Sequence, residues 1–132
     1  PSPQIEVLRL MGLEAVASAL RDMPPPDITF SGGETLGDVI PCGGDAAHAS
    51  LSQWKVIHTP GHTQGSVCLY SAERNELISG DTVFYSHGRT DLPGGDERTM
   101  LSSLASIKKN LPLETLVYPG HDYCGFPLRE NY

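Results

Sequence analysis

Three side chains able to ligate a metal, His62, Asp81 and His121, each directly follow a glycine. They lie in Thr59-Pro60-Gly61-His62-Thr63, Ser79-Gly80-Asp81-Thr82 and Tyr118-Pro119-Gly120-His121-Asp122-Tyr123. Glycine and proline punctuate a chain at turns, so each side chain is expected where a strand ends and a turn begins. Two imidazoles and a carboxylate are donors suited to zinc, iron or manganese. The other histidines offer less. His48 sits in a polar stretch and is expected to be exposed and idle. In an alternating strand His58 shares a face with Trp54 and Val56, which points to a core or supporting role rather than ligation. His87, in a loop before Gly88-Arg89, is left open by its surroundings.

Elements must hold these residues in place. Residues 2–23 read as helix, with Ser2 as N-cap, Pro3 in the first turn, and Leu13, Val16, Ala17 and Leu20 on one face; Gly12 allows a break into two shorter helices. Met23-Pro24-Pro25-Pro26 ends it, since proline lacks a donor and restricts its predecessor. Ile28-Thr29-Phe30, Gly32-Gly33, then Thr35-Leu36 and Val39-Ile40 suggest a hairpin, and residues 41–50 a loop. Strands are expected at 54–59, 66–70 and 76–79, continuing at 82–84, and again at 116–118. Between the last two, Asp96 caps a helix over 97–110 whose buried stripe is Met100, Leu101, Leu104, Ile107 and Leu111. Every candidate ligand then stands at a strand end, where loops on a rigid scaffold carry function.

With 132 residues the chain has the length of one domain. About two-fifths of it is apolar and a fifth charged, as in ordinary globular proteins, and no apolar run is long enough to span a bilayer. A net charge of −7 without a basic cluster argues against nucleic acid as a partner. Cys42, Cys68 and Cys124 form no Cys-x-x-Cys motif and are too scattered for a disulfide framework. Idle thiols in a reducing compartment, with cytoplasm as the location, are the expectation; Cys124, three residues after His121, is the one that could approach a site. The Pro1-Ser2-Pro3 start, without methionine or a secretory pattern, suggests a processed or excised piece.

Four segments in order carry a specific resemblance: Thr59 to Ser66 (TPGHTQGS), Ser79 to Thr82 (SGDT), Gly88 to Asp96 (GRTDLPGGD) and Tyr118 to Tyr123 (YPGHDY). From about Ile28 to Tyr123 the chain resembles the metallo-β-lactamase superfamily, in its glyoxalase II-like (hydroxyacylglutathione hydrolase-like) branch. The resemblance implies an α/β fold that is half of an αββα sandwich, a mainly antiparallel or mixed sheet covered on one face by helices. Residues 1–26 would be a linking helix region and 27–132 the C-terminal half of the domain, treated together as a single domain. It further implies that His62 completes one metal site and His121 a second. Asp81 would bridge two zinc ions, or bind a single iron in persulfide dioxygenase-like members, and take part in catalysis. Iron or manganese are alternatives to zinc. A metal-bound hydroxide, its pKa lowered towards about 7, would attack a thioester or related small-molecule acyl carbon. Tyr123 resembles a tyrosine that touches a glutathione moiety. Arg89 resembles a basic residue of the same pocket, suited to a carboxylate; a loop held together by Arg89 and Asp91 is the other reading of that pair.

The family's first signature, Thr-His-x-His-x-Asp-His, is nowhere in this sequence. One histidine per ion plus Asp81 falls short of the three or four protein ligands of a stable site. Half a sandwich also leaves a sheet face uncovered, with Ile57, Val67, Leu69, Ile78 and Val83 as expected contributors to an apolar patch. Three readings stay open: a glyoxalase II-type hydrolase with part of its site absent from the chain, a persulfide dioxygenase-like mononuclear iron enzyme, and a non-catalytic half-domain that self-associates or pairs with an N-terminal half.

Overall fold

The computed structural model describes residues 3–132, so Ser2, the expected first cap, lies outside the described residues. The helical N-terminal region is two helices, α1 (Pro3–Leu10) and α2 (Glu14–Arg21). They are separated at Gly12, whose φ of 76° only glycine adopts without strain. The two pack on each other, and Leu13, Val16 and Leu20 stay exposed while Ala17 is buried.

The expected hairpin over 28–40 does not form. Residues 28–30 are irregular, Leu36–Val39 is a short helix, α3, and Thr35 makes one isolated bridge to Lys55. β-Branched residues at 28 and 29 favour extended backbone, but a strand needs a partner along its length. Thr35 instead opens α3 through a capping box: its backbone N–H and its hydroxyl both donate to the Asp38 carboxylate, at 2.8 and 2.9 Å. The expected loop over 41–50 is largely a further helix, α4 (Asp45–Ser52), which packs on α3.

From residue 55 onward the strands fall near their expected places. The sheet has the order β1 (Lys55–His58), β2 (Val67–Ser71), β3 (Glu76–Gly80), β4 (Leu116–Pro119), β5 (Phe126–Pro127). All pairs are antiparallel except β3 with β4, which are parallel. That parallel step is spanned by α5 (Glu97–Asn110), capped by Asp96, whose side chain accepts from the Thr99 N–H at 2.7 Å. Residues 82–84 do not prolong β3 but turn away, with Val83 bridging to His87.

Register divides the sheet into two faces. The row Tyr70, Leu77, Val117, Phe126 faces α5 and joins Cys68, Met100, Leu104, Ile107 and Leu128 in the core. The opposite row is Val56, Leu69, Ile78, Tyr118. On it Ile78 remains 42% exposed and Val67 and Leu69 are only half-buried. The expected uncovered patch is therefore corrected in two members. Ile57 packs against the helix-side core, opposite Cys68, and Val83 is fully buried there. Leu101 of the expected α5 stripe is also exposed, because it points off the face that Met100, Leu104 and Ile107 share.

Candidate metal centre

Strand directions decide where the three candidate ligands meet. β1 is antiparallel to β2, β2 to β3, and β3 parallel to β4, so β1, β3 and β4 all run the same way. His62, Asp81 and His121 each follow one of these strands, and all three emerge at the same edge of the sheet. Asp81 and His121 come from neighbouring parallel strands, where Gly80 pairs with Pro119 and the Gly120 N–H donates to the Gly80 carbonyl at 2.8 Å.

At that edge the Asp81 carboxylate is shared. Its Oδ2 lies 3.4 Å from His62 Nε2, and its Oδ1 lies 3.3 Å from His121 Nε2. The other ring nitrogens face other oxygens. His62 Nδ1–H donates to the Arg89 carbonyl at 2.7 Å, and His121 Nδ1 lies 3.0 Å from the Asp122 carboxylate. An oxygen that can only accept fixes the proton on Nδ1 and leaves Nε2 as the ligating atom. The Arg89 carbonyl thus holds the His62 proton on Nδ1, and each imidazole turns Nε2 towards a different oxygen of one carboxylate.

The donor set fits a cation. Bonds of about 2.0–2.1 Å in a tetrahedral shell put neighbouring donors about 3.3 Å apart, which is the spacing seen on each side of Asp81. Each side supplies two donors. Among the described residues no group of three or more His, Cys, Asp or Glu side chains is arranged to hold one ion.

Close packing fixes the turns that carry these donors. Gly61 has φ 148°, and a Cβ there would lie 2.5 Å from Met100 Cα, so the His62 turn presses directly on α5. The Gly61 carbonyl accepts from the Asp96 N–H at 2.8 Å, and the Pro60 carbonyl from the Ser103 hydroxyl at 2.7 Å. Beneath them the Thr59 hydroxyl reaches Thr82 Oγ1 at 3.2 Å and Cys68 Sγ at 3.4 Å, a buried link between the two turns. Burial pushes the Cys68 thiol up, which keeps it an inert member of that link. Gly88 passes so close to Asp81 that a Cβ would sit 1.8 Å from the Asp81 carbonyl oxygen.

A cavity of about 280 Å³ opens over His62, Asp81 and His121, walled by Phe84, Ser86, His87 and Asp122. It adjoins a wider cleft of about 470 Å³ between Phe84, Tyr85, Ser86 and Tyr123. Tyr123 is 77% exposed, with its ring edge-on to Tyr85. Arg89 serves the centre through its backbone carbonyl, while its guanidinium makes two bonds to Asp91 at 2.9 and 2.8 Å. That partner holds the Asp91 carboxyl down at about 2. His58 is exposed rather than in the core, and Nε2–H donates to the Gln64 carbonyl, tying down the loop after His62. His48 is exposed on α4. His87 and Phe84 are wall residues that local sequence left unassigned. The Phe84 ring lies 4.7 Å from that of His121, a contact no short motif encodes.

The sequence profile of the metallo-β-lactamase superfamily matches residues 10–121. The chain belongs to that superfamily. A hydroxyacylglutathione hydrolase of Polaromonas sp. is 39% identical over 98 residues, covering 74% of this chain and 35% of the relative. Among solved structures, TTHA1623 in a di-iron-bound form superposes with TM-score 0.66 at 30% identity, over 98% of this chain and 59% of that one. ETHE1 from Myxococcus xanthus gives 0.56 at 27%, over 85% and 50%. This superfamily chain thus spans about a third of the length of the curated relative. Its mixed sheet with helices is the fold of these neighbours.

Proposed function

We propose that this chain carries the second half of the metal centre of a glyoxalase II-type hydrolase, acting on thioesters such as S-acyl-glutathione. One observation carries the reading: a single carboxylate, Asp81, offers one oxygen to the Nε2 of each of two imidazoles, of which His62 has its Nδ1 bonded to the Arg89 carbonyl and His121 has its Nδ1 beside the Asp122 carboxylate. A bound metal pair supplies Lewis-acid activation of the acyl carbonyl and a lowered water pKa. His62 and His121 would each hold an ion, and Asp81 would contribute a carboxylate oxygen beside each. Tyr123 and the adjoining aromatic cleft take up the thiol carrier, and Arg89, once drawn from Asp91, meets a carboxylate of that carrier. Ligands still needed come from an N-terminal half, supplied beyond this chain, and the exposed Ile78 row is the surface it covers. The likenesses to a hydroxyacylglutathione hydrolase and to a di-iron-bound protein support this reading; zinc is the ion proposed, with iron or manganese as alternatives.

The test combines the purified chain with the N-terminal half of a relative and follows loss of an S-acyl-glutathione thioester, alongside zinc titration of the chain alone. His62→Ala is expected to abolish hydrolysis and to lower zinc stoichiometry or affinity. Unchanged zinc binding in that variant would mean the three residues do not act together. A second reading, a single iron with persulfide dioxygenase chemistry, is favoured by Pro119-Gly120-His121-Asp122-Tyr123 followed by Gly125. Metal content of the reconstituted protein separates the two: two ions, or one iron. A chain that binds no ion and restores no hydrolysis belongs to the third reading, a non-catalytic half-domain.

A further inference from the structure

The chain's last residues hold the wall of the centre. Asn131 is 5% exposed, and its Nδ2 lies 2.9 Å from the Phe84 carbonyl, 3.3 Å from that of Tyr85, and also bonds the carbonyl of Ser86. The Tyr132 N–H adds a bond to the Tyr85 carbonyl at 2.7 Å. Asn131 is itself anchored, since its own carbonyl accepts from Lys108 Nζ of α5 at 2.7 Å. The three carbonyls belong to the segment that lines both the cavity and the aromatic cleft. Its Phe84 ring rests on His121, and its Tyr85 ring stacks on Phe126 at 4.4 Å. Three successive carbonyls turned towards one point repel one another unless a donor sits there. A side-chain amide supplies two N–H groups, enough for the Phe84 and Ser86 carbonyls while the Tyr132 N–H serves that of Tyr85.

We propose that Asn131 is a positioning residue for the metal centre. Its amide gathers the Phe84–Ser86 carbonyls, and this sets the Phe84 ring against His121 and fixes the mouth of the aromatic cleft. Lys108 completes a latch running from α5 through the C-terminal segment to the wall. The proposal deepens the hydrolase reading by naming what orients its wall, yet the arrangement is testable without metal or substrate.

The experiment records the ring-proton resonances of the histidines in the metal-free chain by NMR at one fixed pH. Asn131→Asp keeps the shape but replaces the donor with an oxygen facing three carbonyls. The expected result is loss of the ring-current shift that Phe84 imposes on His121, with the amide resonances of β1 to β3 in place. Phe84→Leu is expected to give the same His121 displacement, and the double variant no more than either alone. A His121 resonance unmoved in Asn131→Asp overturns the proposal, as does a double variant whose displacement is the sum of the two. Should Asn131→Asp not fold, Lys108→Met loosens the same latch while leaving the amide in place. A smaller His121 displacement in the same direction then supports the proposal, and none overturns it. Failure of the chain combined with an N-terminal half to bind metal and hydrolyse the thioester would remove the hydrolase reading and leave this result standing.

Discussion

Asp122 is the residue beside which the proposed second ion position rests. Its φ of 65° puts it in the left-handed region, which aspartate and asparagine tolerate best among residues with a side chain. That conformation lets its carboxylate reach back to His121 Nδ1. Asp122→Asn keeps the backbone preference but weakens the acceptor, so zinc affinity should fall about 10- to 100-fold, measured against a competing chelator with the fold checked by circular dichroism. The pair Arg89–Asp91 makes a different prediction. The folded carboxyl sits at about 2, below its ordinary 3.8. With a depressed folded value, the contribution of the pair is complete above the ordinary value and lost as pH falls towards the depressed one. Carboxyl resonances should therefore place the Asp91 midpoint near 2, and the loop should be unchanged from neutral pH down to about 4; a midpoint at the ordinary value would contradict the ion pair. The meeting of His62, Asp81 and His121 at one sheet edge was legible in sequence because each follows a glycine in a turn signal. His87 and Phe84 were not, because their relation to the centre arises from a chain reversal after Asp81 that leaves no local pattern.

Between residues and fold lie the contacts that register one element on another. Ser103 and Asp96 of the α5 region hold the carbonyls just before His62, and Thr59 with Thr82 joins the two ligand-bearing turns beneath. Thr82→Val preserves volume and removes one hydroxyl, leaving the Thr59 hydroxyl with only the Cys68 sulfur. The cost should be about 1 kcal/mol, read as a lower urea midpoint with unchanged slope. No change would mean the Thr59–Thr82 contact contributes nothing net. At this scale the sequence was read well where periodicity and capping agree: α5 and its Asp96 cap fall where expected. It was read poorly over 28–52. Ile28-Thr29-Phe30 has strand-forming residues but no neighbour to pair with. Residues 41–50 read as a loop from Gly43-Gly44 and their small residues, although the alanines within Asp45–Ser52 are the strongest helix formers. β5 was missed because two residues, one of them proline, carry no alternation.

For the molecule as a whole, one face of the sheet is closed by α5 and the other only in part, with Val56 buried there. Ile78 and Leu116 are exposed on that second face; Leu13, just before α2, and Val16 and Leu20 within α2 are exposed besides. Apolar surface of this kind is seldom left open to water, so the isolated chain should pair with a copy of itself or with an N-terminal half. Light scattering should return about twice the 14.2 kDa of the chain, and Ile78→Lys should shift it towards the single mass. A clean monomer that takes up no hydrophobic dye would sink this expectation. The parallel pairing of β3 with β4 has a last consequence. Spacing between Asp81 and His121 is inherited from a backbone ladder, not from the excursion joining them. Nature can lengthen or trim the stretch after α5 and the two donors will still arrive abreast. Removing a single residue within β4 has the opposite effect: it swings the imidazole to the reverse side of the sheet, and no adjustment of the surrounding loops can bring it back.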